Sequence, residues 1–340
     1  MDAAGQFDAT LSFMALPNDA SPSLGFGNAC RADWPLDFSV SFLNHGSFGS
    51  LPAPVHAAAE AWRARIEANP VEWLVRRGPA EVRSAANTIA SFLGSAPAST
   101  GFVVNATAAA NAVLRDIPFE ANDEILLLDQ GYNAVKQAAL HRSSQCGAVT
   151  REVAIPLPAA ADAIVSQFES ALTAQTRLVI LDQITSPTAL VLPLQRMVAA
   201  CAQRKIPVFV DGAHAPGMLE TPADLDGATW WTGNLHKWLC APKGCAVLAV
   251  HEDAAAGQHP PVISHGYSET FSESFDWQGT RDVAPWLAAP AAISYWDRYG
   301  GLPAVRARNH DLVVEAHRML LDRFSVESIS PNDGSMLGSM

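Results

Sequence analysis

Charged residues are scarce in this chain, and its cysteines form no familiar pattern. Aspartate, glutamate, lysine and arginine make up 16% of 340 residues, and acidic residues outnumber basic ones by 34 to 22. The net charge of −12 leaves no basic stripe for a phosphate backbone, so we exclude a nucleic-acid partner. The five cysteines include no CxxC pair, which argues against a disulfide framework and against a structural metal site. Reduced thiols in a cytoplasmic protein are the expectation.

Long apolar runs are also absent. No stretch of about 18 or more apolar residues occurs, so we expect no membrane span. The first thirty residues lack the basic start and compact apolar segment of a secretory signal. Their alanine, glycine, proline and serine content predicts a flexible N-terminal arm over residues 1–34. Hydrophobic residues reach 49%, which is enough for a large core in one or two domains.

Short apolar segments alternate with alanine-rich amphipathic segments through the middle of the chain. This alternation is typical of βα units around a mostly parallel sheet, and continuously apolar strands indicate helices on both faces. The predicted fold class is therefore α/β, with a seven-stranded sheet. The predicted strands are 101–105, 124–129, 151–155, 177–182, 206–211, 228–233 and 244–250.

The flanks of this region differ from it. Two helices are predicted over 52–68 and 79–93, and two more near 283–299 and 302–323. Residues 325–340 have the pattern of a strand, a turn and the start of another strand. We therefore predict a large domain over 35–280 and a small α+β domain over 281–340 that is incomplete at residue 340.

Polar side chains follow several of the predicted strands, at the sheet edge where ligands of open α/β sheets bind. Thr107 begins a helix and suits a phosphate, or is an ordinary N-cap. Tyr132 could stack on a planar ligand or pack as a rim residue. Ser186, beside Thr185, offers a hydroxyl, although turn chemistry also explains it.

Asp211 and Lys237 are the two charged residues of this set. Asp211 ends an apolar strand and needs a partner to offset desolvation, with His214 three residues later. Lys237 lies among aromatic and apolar residues, which disfavour its charged form and make it a nucleophile. The alternatives are a capping aspartate and a lysine whose head reaches water.

These residues together match the four needs of pyridoxal phosphate. The cofactor requires donors for its phosphate, a stacking face, a carboxylate beside its pyridine nitrogen and a lysine amine for its aldehyde. Thr107, Tyr132, Asp211 and Lys237 supply one each. We therefore predict pyridoxal phosphate as the cofactor.

The chain also resembles a known family over most of residues 38–325. The resemblance rests on LNHGSFG (43–49), NATAAANAV (105–113), ITSPTALVLPL (184–194), VDGAHAPG (210–217), GNLHKWLCAPKG (233–244) and WQGTRD (277–282). It is to the class V aminotransferase-fold pyridoxal phosphate enzymes of fold type I, and within them to the isopenicillin N epimerase-like branch.

The resemblance implies a role for each matching residue. Lys237 would bond covalently to the cofactor, Asp211 would pair with its ring nitrogen, and Tyr132 would stack on the ring. His214 would lie near the phenolic oxygen or the ring. The remaining implied contacts are the phosphate with Thr107, Ala108 and His236, the phosphate of the other subunit of a homodimer with Thr280, and the substrate with Asn44 and His45.

The resemblance also has a gap. Family members continue into a small-domain strand whose arginine binds the substrate carboxylate, and residues 1–340 contain no counterpart. Arg76, Arg77 and Arg281 are alternatives, and surface or structural roles would equally explain them.

The resemblance implies an amino-acid substrate and removal of its Cα proton by the freed lysine. The predicted reaction is epimerisation, as in the nearest branch, which needs a second base or a mobile water; His45, His265 and Tyr267 are candidates for it. The alternatives are carbon–sulfur β-elimination, which needs one base, and transamination. A catalytically silent binding protein of the same fold is the non-enzymatic alternative.

Overall fold

The computed structural model describes residues 25–224, 226–267 and 269–340. All seven predicted strands are present there and form one sheet. Their bounds are β1 Thr100–Val103, β2 Glu124–Leu128, β3 Val149–Val153, β4 Thr176–Asp182, β5 Val208–Asp211, β6 Trp230–Asn234 and β7 Ala246–Val250.

The strand order is β1-β7-β6-β5-β4-β2-β3. Strands β3, β2, β4, β5 and β6 pair in parallel, whereas β7 is antiparallel to both of its neighbours. Because β1 and β6 flank β7, they run in the same direction as each other. The carboxyl ends of six strands therefore meet at one edge of the sheet, which confirms the predicted α/β class.

The strands are covered on both faces, as their continuous apolar sequences predict. Side chains of a strand alternate between the two faces of a sheet. In β2, Leu126 and Leu128 join one hydrophobic cluster, and Ile125 and Leu127 join another on the opposite face. All four are almost completely buried.

The helices that cover the sheet include those predicted over 52–68, 79–93 and 302–323, with bounds that differ by a residue or two. The region 283–299 is helical but broken into three short pieces. The α-helices are α1 His45–Phe48, α2 Ala53–Ala68, α3 Gly78–Leu93, α4 Ala106–Asp116, α5 Asn133–Cys146, α6 Ala161–Ala171, α7 Leu194–Gln203, α8 Glu252–Ala255, α9 Phe271–Asp276, α10 Ala284–Leu287, α11 Ala289–Tyr295 and α12 Gly301–Phe324. Shorter 3-10 turns are Gly27–Asp33, Pro97–Ser99 and Trp296–Tyr299, and Glu72–Arg77 is a π-helix.

The prediction of strands over 325–340 is wrong. This segment contains turns and no strand, and the division into domains over 35–280 and 281–340 stays a prediction. The backbone N–H of Ala159 donates to the carbonyl of Ile329, and that of Val191 to the carbonyl of Met336. The apolar residues that suggested strands, such as Val326, find no neighbouring strand here.

The predicted flexible arm falls mostly outside the described residues, since residues 1–24 are not among them. Its described end, Gly27–Asp33, is a 3-10 helix that contacts the rest of the chain, and the flexibility of the arm stays a prediction. The carboxylate of Asp33 accepts hydrogen bonds from Tyr295, Tyr299 and Arg298 at 3.2, 2.8 and 2.9 Å. In the described part of the chain, no helix is long and apolar enough to cross a membrane.

Candidate active site

A cavity of about 300 Å³ opens at the carboxyl edge of the sheet. Strand ends and the turns after them supply its walls, which is why residues far apart in sequence meet there. Seven of the residues predicted from the sequence line it, namely Thr107, Tyr132, Ser186, Asp211, His214, His236 and Lys237.

Lys237 lies in the turn that follows β6, and only 8% of it is exposed. Burial lowers the pKa of its amine, and the charge of Asp211 opposes this effect without reversing it. The alternative of a lysine whose head reaches water is therefore wrong. Lys237 can act as a neutral amine, which is the nucleophilic form.

His214 lies between Trp238 and the amine of Lys237. The indole N–H of Trp238, which can only donate, lies 3.4 Å from His214 Nδ1. Burial, helped by Lys237, lowers the pKa of His214 to about 3, so the ring is neutral. With Nδ1 as an acceptor, the proton of the neutral ring is on Nε2, 3.1 Å from Lys237 Nζ. A donor at this position favours the uncharged form of the amine.

Asp211 ends β5 and is 4% exposed. Its Oδ1 accepts the backbone N–H of Ala213 at 3.0 Å, so the carboxylate is held at the start of the following turn. Burial raises the pKa of Asp211, while this N–H and the charge of Lys237 oppose the rise. A protonated pyridine nitrogen is the kind of partner that would offset this desolvation.

The start of α4 forms the anion-binding end of the cavity. This helix has eleven residues, and its partial positive charge faces the cavity near the Thr107 hydroxyl. Asn234 from β6 holds the helix start in place, since its Oδ1 accepts the N–H of Ala106 at 3.0 Å. The N–H of Ala108 donates to Asn105 Oδ1 at 2.8 Å, so it is already engaged by the N-cap. The predicted contact of Ala108 with phosphate therefore has no free backbone donor.

His236 is the other predicted phosphate neighbour. Its Nδ1 lies 3.0 Å from the carbonyl of Cys245, which can only accept, so Nδ1 carries the proton. Burial lowers the pKa of His236. A bound phosphate would favour a second proton on Nε2, and the assignment of His236 to the phosphate stays a prediction.

Tyr132 stands beside the amine, with the centre of its ring 6.0 Å from Lys237 Nζ. It is the residue before α5, and 45% of it is exposed. Its backbone N–H donates to Asp182 Oδ1 at 3.3 Å. The ring can therefore cover one face of a planar ligand that reaches Lys237.

The other predicted residues do not line this cavity. Asn44 caps α1 through a bond from the N–H of Ser47, and Thr280 is exposed. His45 packs edge-on against Trp34 and lines a second, larger cavity of about 800 Å³, which Trp238 also lines. The predicted homodimer and the phosphate contact of Thr280 stay predictions.

The predicted arginines are also placed elsewhere. Arg76 and Arg77 are exposed and pair with Glu72 at 3.2 and 3.1 Å. Arg281 lies over the ring of Trp286, 4.3 Å from its centre. None of the three lines the cavity in the described residues, so a carboxylate contact for Arg77 or Arg281 stays a prediction.

Sequence reasoning missed five polar residues of the cavity, namely Ser47, Asn105, Asp182, Asn234 and Lys243. Asp182 and Asn234 end β4 and β6, so the rule that selected Asp211 would also have selected them. Lys243 lies in the sequence APKG, which is typical of a turn. Its Nζ donates to the carbonyl of Gly49 at 3.2 Å, and only the folded chain shows this contact.

The donor set fits pyridoxal phosphate. A buried carboxylate, a buried neutral amine, an aromatic ring beside that amine and a helix start with a hydroxyl surround one cavity. Lys237 would hold the aldehyde, Asp211 the ring nitrogen, and Thr107 with the α4 start the phosphate. Each of these residues lies at the end of a strand or just after it, as the sequence predicts.

Comparison with known proteins supports this fit. The family model "Aminotransferase class-V" matches residues 49–339. A putative L-cysteine desulfhydrase from Oryza sativa subsp. japonica is 32% identical over 320 residues, covering 88% of this chain and 66% of that protein. The isopenicillin N epimerase of Streptomyces clavuligerus is 31% identical over 333 residues, covering 91% of this chain and 83% of that protein. The chain thus spans just under two thirds of the rice relative.

Solved structures share the fold. An apo cysteine desulfurase from Thermococcus onnurineus NA1 superposes with a TM-score of 0.81 at 19% identity, covering 93% of this chain and 82% of that one. A cystine C–S lyase in complex with its product cysteine persulfide gives a TM-score of 0.68 at 22% identity, covering 78% and 74%. From the family match and the geometry of the cavity together, this chain belongs to the class V aminotransferase family and is a pyridoxal phosphate-dependent enzyme.

Proposed function

We propose that this protein is a carbon–sulfur lyase that performs β-elimination on a small sulfur-bearing amino acid such as cysteine. The observation that carries the proposal is that the proton-transfer groups of the cavity lie together. Lys237 and neutral His214 are 3.1 Å apart. The second bases considered from the sequence, His45, His265 and Tyr267, are not among the described residues that line the cavity.

β-Elimination needs only one base. When bound, the cofactor supplies an electron sink for the pair released from the Cα–H bond. With the cofactor bound, Lys237 Nζ would be the base that accepts the Cα proton. Asp211 would keep the ring nitrogen protonated, and Tyr132 would cover one face of the ring.

The bond changes balance without any further reactant than water. The Cα–H and Cβ–S bonds break, a Cα–Cβ double bond forms, and the sulfur leaves with the electron pair of the Cβ–S bond. The released enamine hydrolyses, so cysteine and water give pyruvate, ammonia and hydrogen sulfide. Neither oxidant nor reductant is consumed.

The size of the cavity favours a short substrate. Ligand cavities span about 300–1,000 Å³, and this one, at about 300 Å³, is at the lower limit. Once a cofactor is seated, little volume is left for a long side chain. A second support for the lyase proposal is the rice relative named as a putative L-cysteine desulfhydrase, which is 32% identical to this chain.

Epimerisation is the second candidate, and one observation favours it. The phenol of Tyr132 lines the same cavity as Lys237 and is partly open to solvent, so it could exchange a proton with the substrate. Relatives named as isopenicillin N epimerase are 31–32% identical to the chain. Epimerisation inverts Cα and leaves the Cβ–S bond intact.

One assay, run separately with each of four substrates, distinguishes the two reactions. The cofactor-loaded protein is mixed with L-cysteine, D-cysteine, L-cystine or L-alanine in D₂O, and sulfide, pyruvate and Cα deuteration are followed together. Equal amounts of sulfide and pyruvate from a cysteine substrate are the expected result. Deuterated product of inverted configuration without pyruvate would instead establish epimerisation, and no turnover of any of the four would contradict the lyase proposal.

The matched control uses two of the four lysines of the chain. Lys237→Ala should abolish both the visible absorbance of bound cofactor and turnover. Lys205→Ala removes an exposed lysine away from the cavity and should change neither. Turnover that survives in Lys237→Ala would show that the chemistry comes from elsewhere.

A further inference from the structure

A second buried carboxylate lies next to Asp211. Asp182 ends β4, and the parallel pairing of β4 and β5 places it directly opposite Asp211. Opposite residues of paired strands point to the same face of a sheet. Asp182 is 5% exposed, Asp211 is 4% exposed, and both line the cofactor cavity.

Asp182 lacks the partner that a buried charge requires. Its Oδ1 accepts the N–H of Tyr132 at 3.3 Å. Its Oδ2 lies close to Gly131, where a Cβ would be 3.2 Å away. No arginine or lysine forms an ion pair with it among the described residues. An isolated ionised carboxylate is expensive to bury, so it neutralises when no cation is near.

We propose that Asp182 is a positioning residue: it stays a neutral carboxylic acid, fixes the Tyr132 loop, and leaves Asp211 as the single charged carboxylate at the cofactor ring. The neutral acid still accepts the Tyr132 N–H through its carbonyl oxygen. This bond holds the residue that carries the Tyr132 ring, whose centre lies 6.0 Å from Lys237 Nζ. This role concerns the cofactor site and holds for elimination and epimerisation alike.

The electrostatics of the site agree with this assignment. Burial first, and then the charge of Asp211, raise the pKa of Asp182 well above its usual range, and the Tyr132 N–H opposes the rise only in part. Asp211 is the better placed of the two to stay charged, because the backbone N–H of Ala213, 3.0 Å from its Oδ1, opposes the rise of its pKa. Besides Lys237, the other titratable groups that line the cavity are His214 and His236, which burial keeps neutral, and Tyr132 and Lys243.

Two substitutions of Asp182 separate charge from positioning. Asp182→Asn is a neutral mimic that keeps an acceptor for the Tyr132 N–H. Asp182→Ala keeps neither the acceptor nor the side-chain volume. The apo variants are titrated with pyridoxal phosphate, and the dissociation constant and the circular dichroism of the visible band are measured.

The Asn variant should bind cofactor within about threefold of the wild-type value, with an unchanged band. The Ala variant should bind about tenfold more weakly, the size of one lost buried hydrogen bond, with altered dichroism because the ring of Tyr132 is no longer fixed. Equal weakening in both variants would show that Asp182 acts through charge and would overturn the proposal. Wild-type binding in the Ala variant would overturn it equally.

A double substitution tests whether Asp182 acts through Tyr132. In a Tyr132→Ala background, Asp182→Ala should cause no further loss of affinity, since two residues acting in one chain of contacts are not additive. Fully additive losses contradict the proposal. If Asp182→Ala does not fold, Asp182→Asn still tests the proposal. The visible absorbance band of its bound cofactor should keep the wild-type pH profile, and a changed profile would overturn the proposal.

Asp276→Asn is the matched control. Asp276 is also a buried carboxylate, but it pairs with Arg83 at 2.7 Å, away from the cavity. Its substitution should lower stability and leave the dissociation constant of the cofactor unchanged. Weaker cofactor binding in this control would mean that any buried carboxylate gives the same result, which would remove the support that Asp182→Ala gives.

Discussion

The indole N–H of Trp238 links the outer wall of the site to its nucleophile. It donates to His214 Nδ1, and His214 Nε2 in turn meets Lys237 Nζ at 3.1 Å. Since an indole N–H cannot accept, it fixes the tautomer of the histidine. The fixed tautomer presents a donor to the lysine, and a donor is compatible only with the uncharged amine.

The first prediction concerns Trp238→Phe. Phenylalanine keeps an aromatic ring but removes the N–H, so His214 can adopt the tautomer whose Nε2 accepts from a lysine ammonium. The pKa of Lys237 should rise, and covalent capture of pyridoxal phosphate should slow at neutral pH. Stopped-flow absorbance of apo protein mixed with cofactor, from pH 6 to 9, should show a higher midpoint than in the wild type.

Trp230→Phe is the control for this change. The indole nitrogen of Trp230 is buried and meets no acceptor among the described residues, so its loss removes no hydrogen bond. The midpoint should stay at the wild-type value in this variant. An unchanged midpoint in Trp238→Phe as well would refute the tautomer argument.

At the scale of elements, the short helix His45–Phe48 ends on a glycine that the site requires. Gly49 has φ +69, and a Cβ there would lie 1.9 Å from the carbonyl oxygen of His236. Lys243 donates to the carbonyl of the same Gly49. The loop before α2 and the turn that carries Lys237 are therefore in direct backbone contact.

The second prediction is that Gly49→Ala damages the site more than its small size suggests. The clash and the left-handed backbone each contribute about 1–3 kcal/mol, so the free energy of unfolding should fall by about 2 kcal/mol or more. Cofactor affinity should fall with it. Chemical denaturation and cofactor titration measure the two effects.

Gly244→Ala is a suitable comparison, because Gly244 also has positive φ but its Cβ would meet nothing within 4 Å. It should lose only the backbone contribution of about 1 kcal/mol. Equal losses in the two variants would mean that the contact with His236 does not matter.

Elements with a strong local sequence pattern were predicted correctly. The seven strands and α2, α3 and α12 have long or strongly patterned apolar sequences, and all were predicted. Residues 325–340 carry an alternating pattern too, but a strand also needs a neighbour with free backbone groups, and the sequence does not reveal whether one exists. Region 283–299 breaks at Ala288, where two short helices meet rather than continue.

The sequence predicted those site residues that lie at or just after strand ends. Asp211 and Lys237 stand out by residue type, and the structure brings them to one cavity with Thr107 and Tyr132. Asp182 ends a strand as Asp211 does, but its position opposite Asp211 is a property of sheet order, which the sequence does not reveal. The bond between Trp238 and His214 likewise joins side chains whose directions the sequence does not specify.

At the scale of the whole molecule, the two buried carboxylates of the site make the stability of the folded chain depend on pH. Asp182 and Asp211 both have raised pKa values in the folded chain, whereas an unfolded aspartate titrates near about 3.9. The folded state therefore binds protons more tightly than the unfolded state. Stability from these groups is full below about pH 4 and is lost as the pH rises through the folded pKa values.

The third prediction follows from this sign. Apo Asp182→Asn should be more resistant to denaturant than the apo wild type at pH 8, and the difference should shrink steadily toward pH 4. Urea midpoints at several pH values, without cofactor, measure it. A difference that is constant with pH would mean that Asp182 does not titrate between the folded and unfolded states.

The bond between Asn234 and the N–H of Ala106 has a consequence for the order of events during synthesis. It joins residues 128 positions apart, and it depends on β7 being inserted between β1 and β6. Contacts so distant in sequence form late, because a long loop must close first. The first 230 residues can thus leave the ribosome with most of the sheet's parallel strands and still have no phosphate site. We therefore expect cofactor capture to follow the synthesis and pairing of β7, near residue 250, so that pyridoxal phosphate binds a chain whose sheet is already complete.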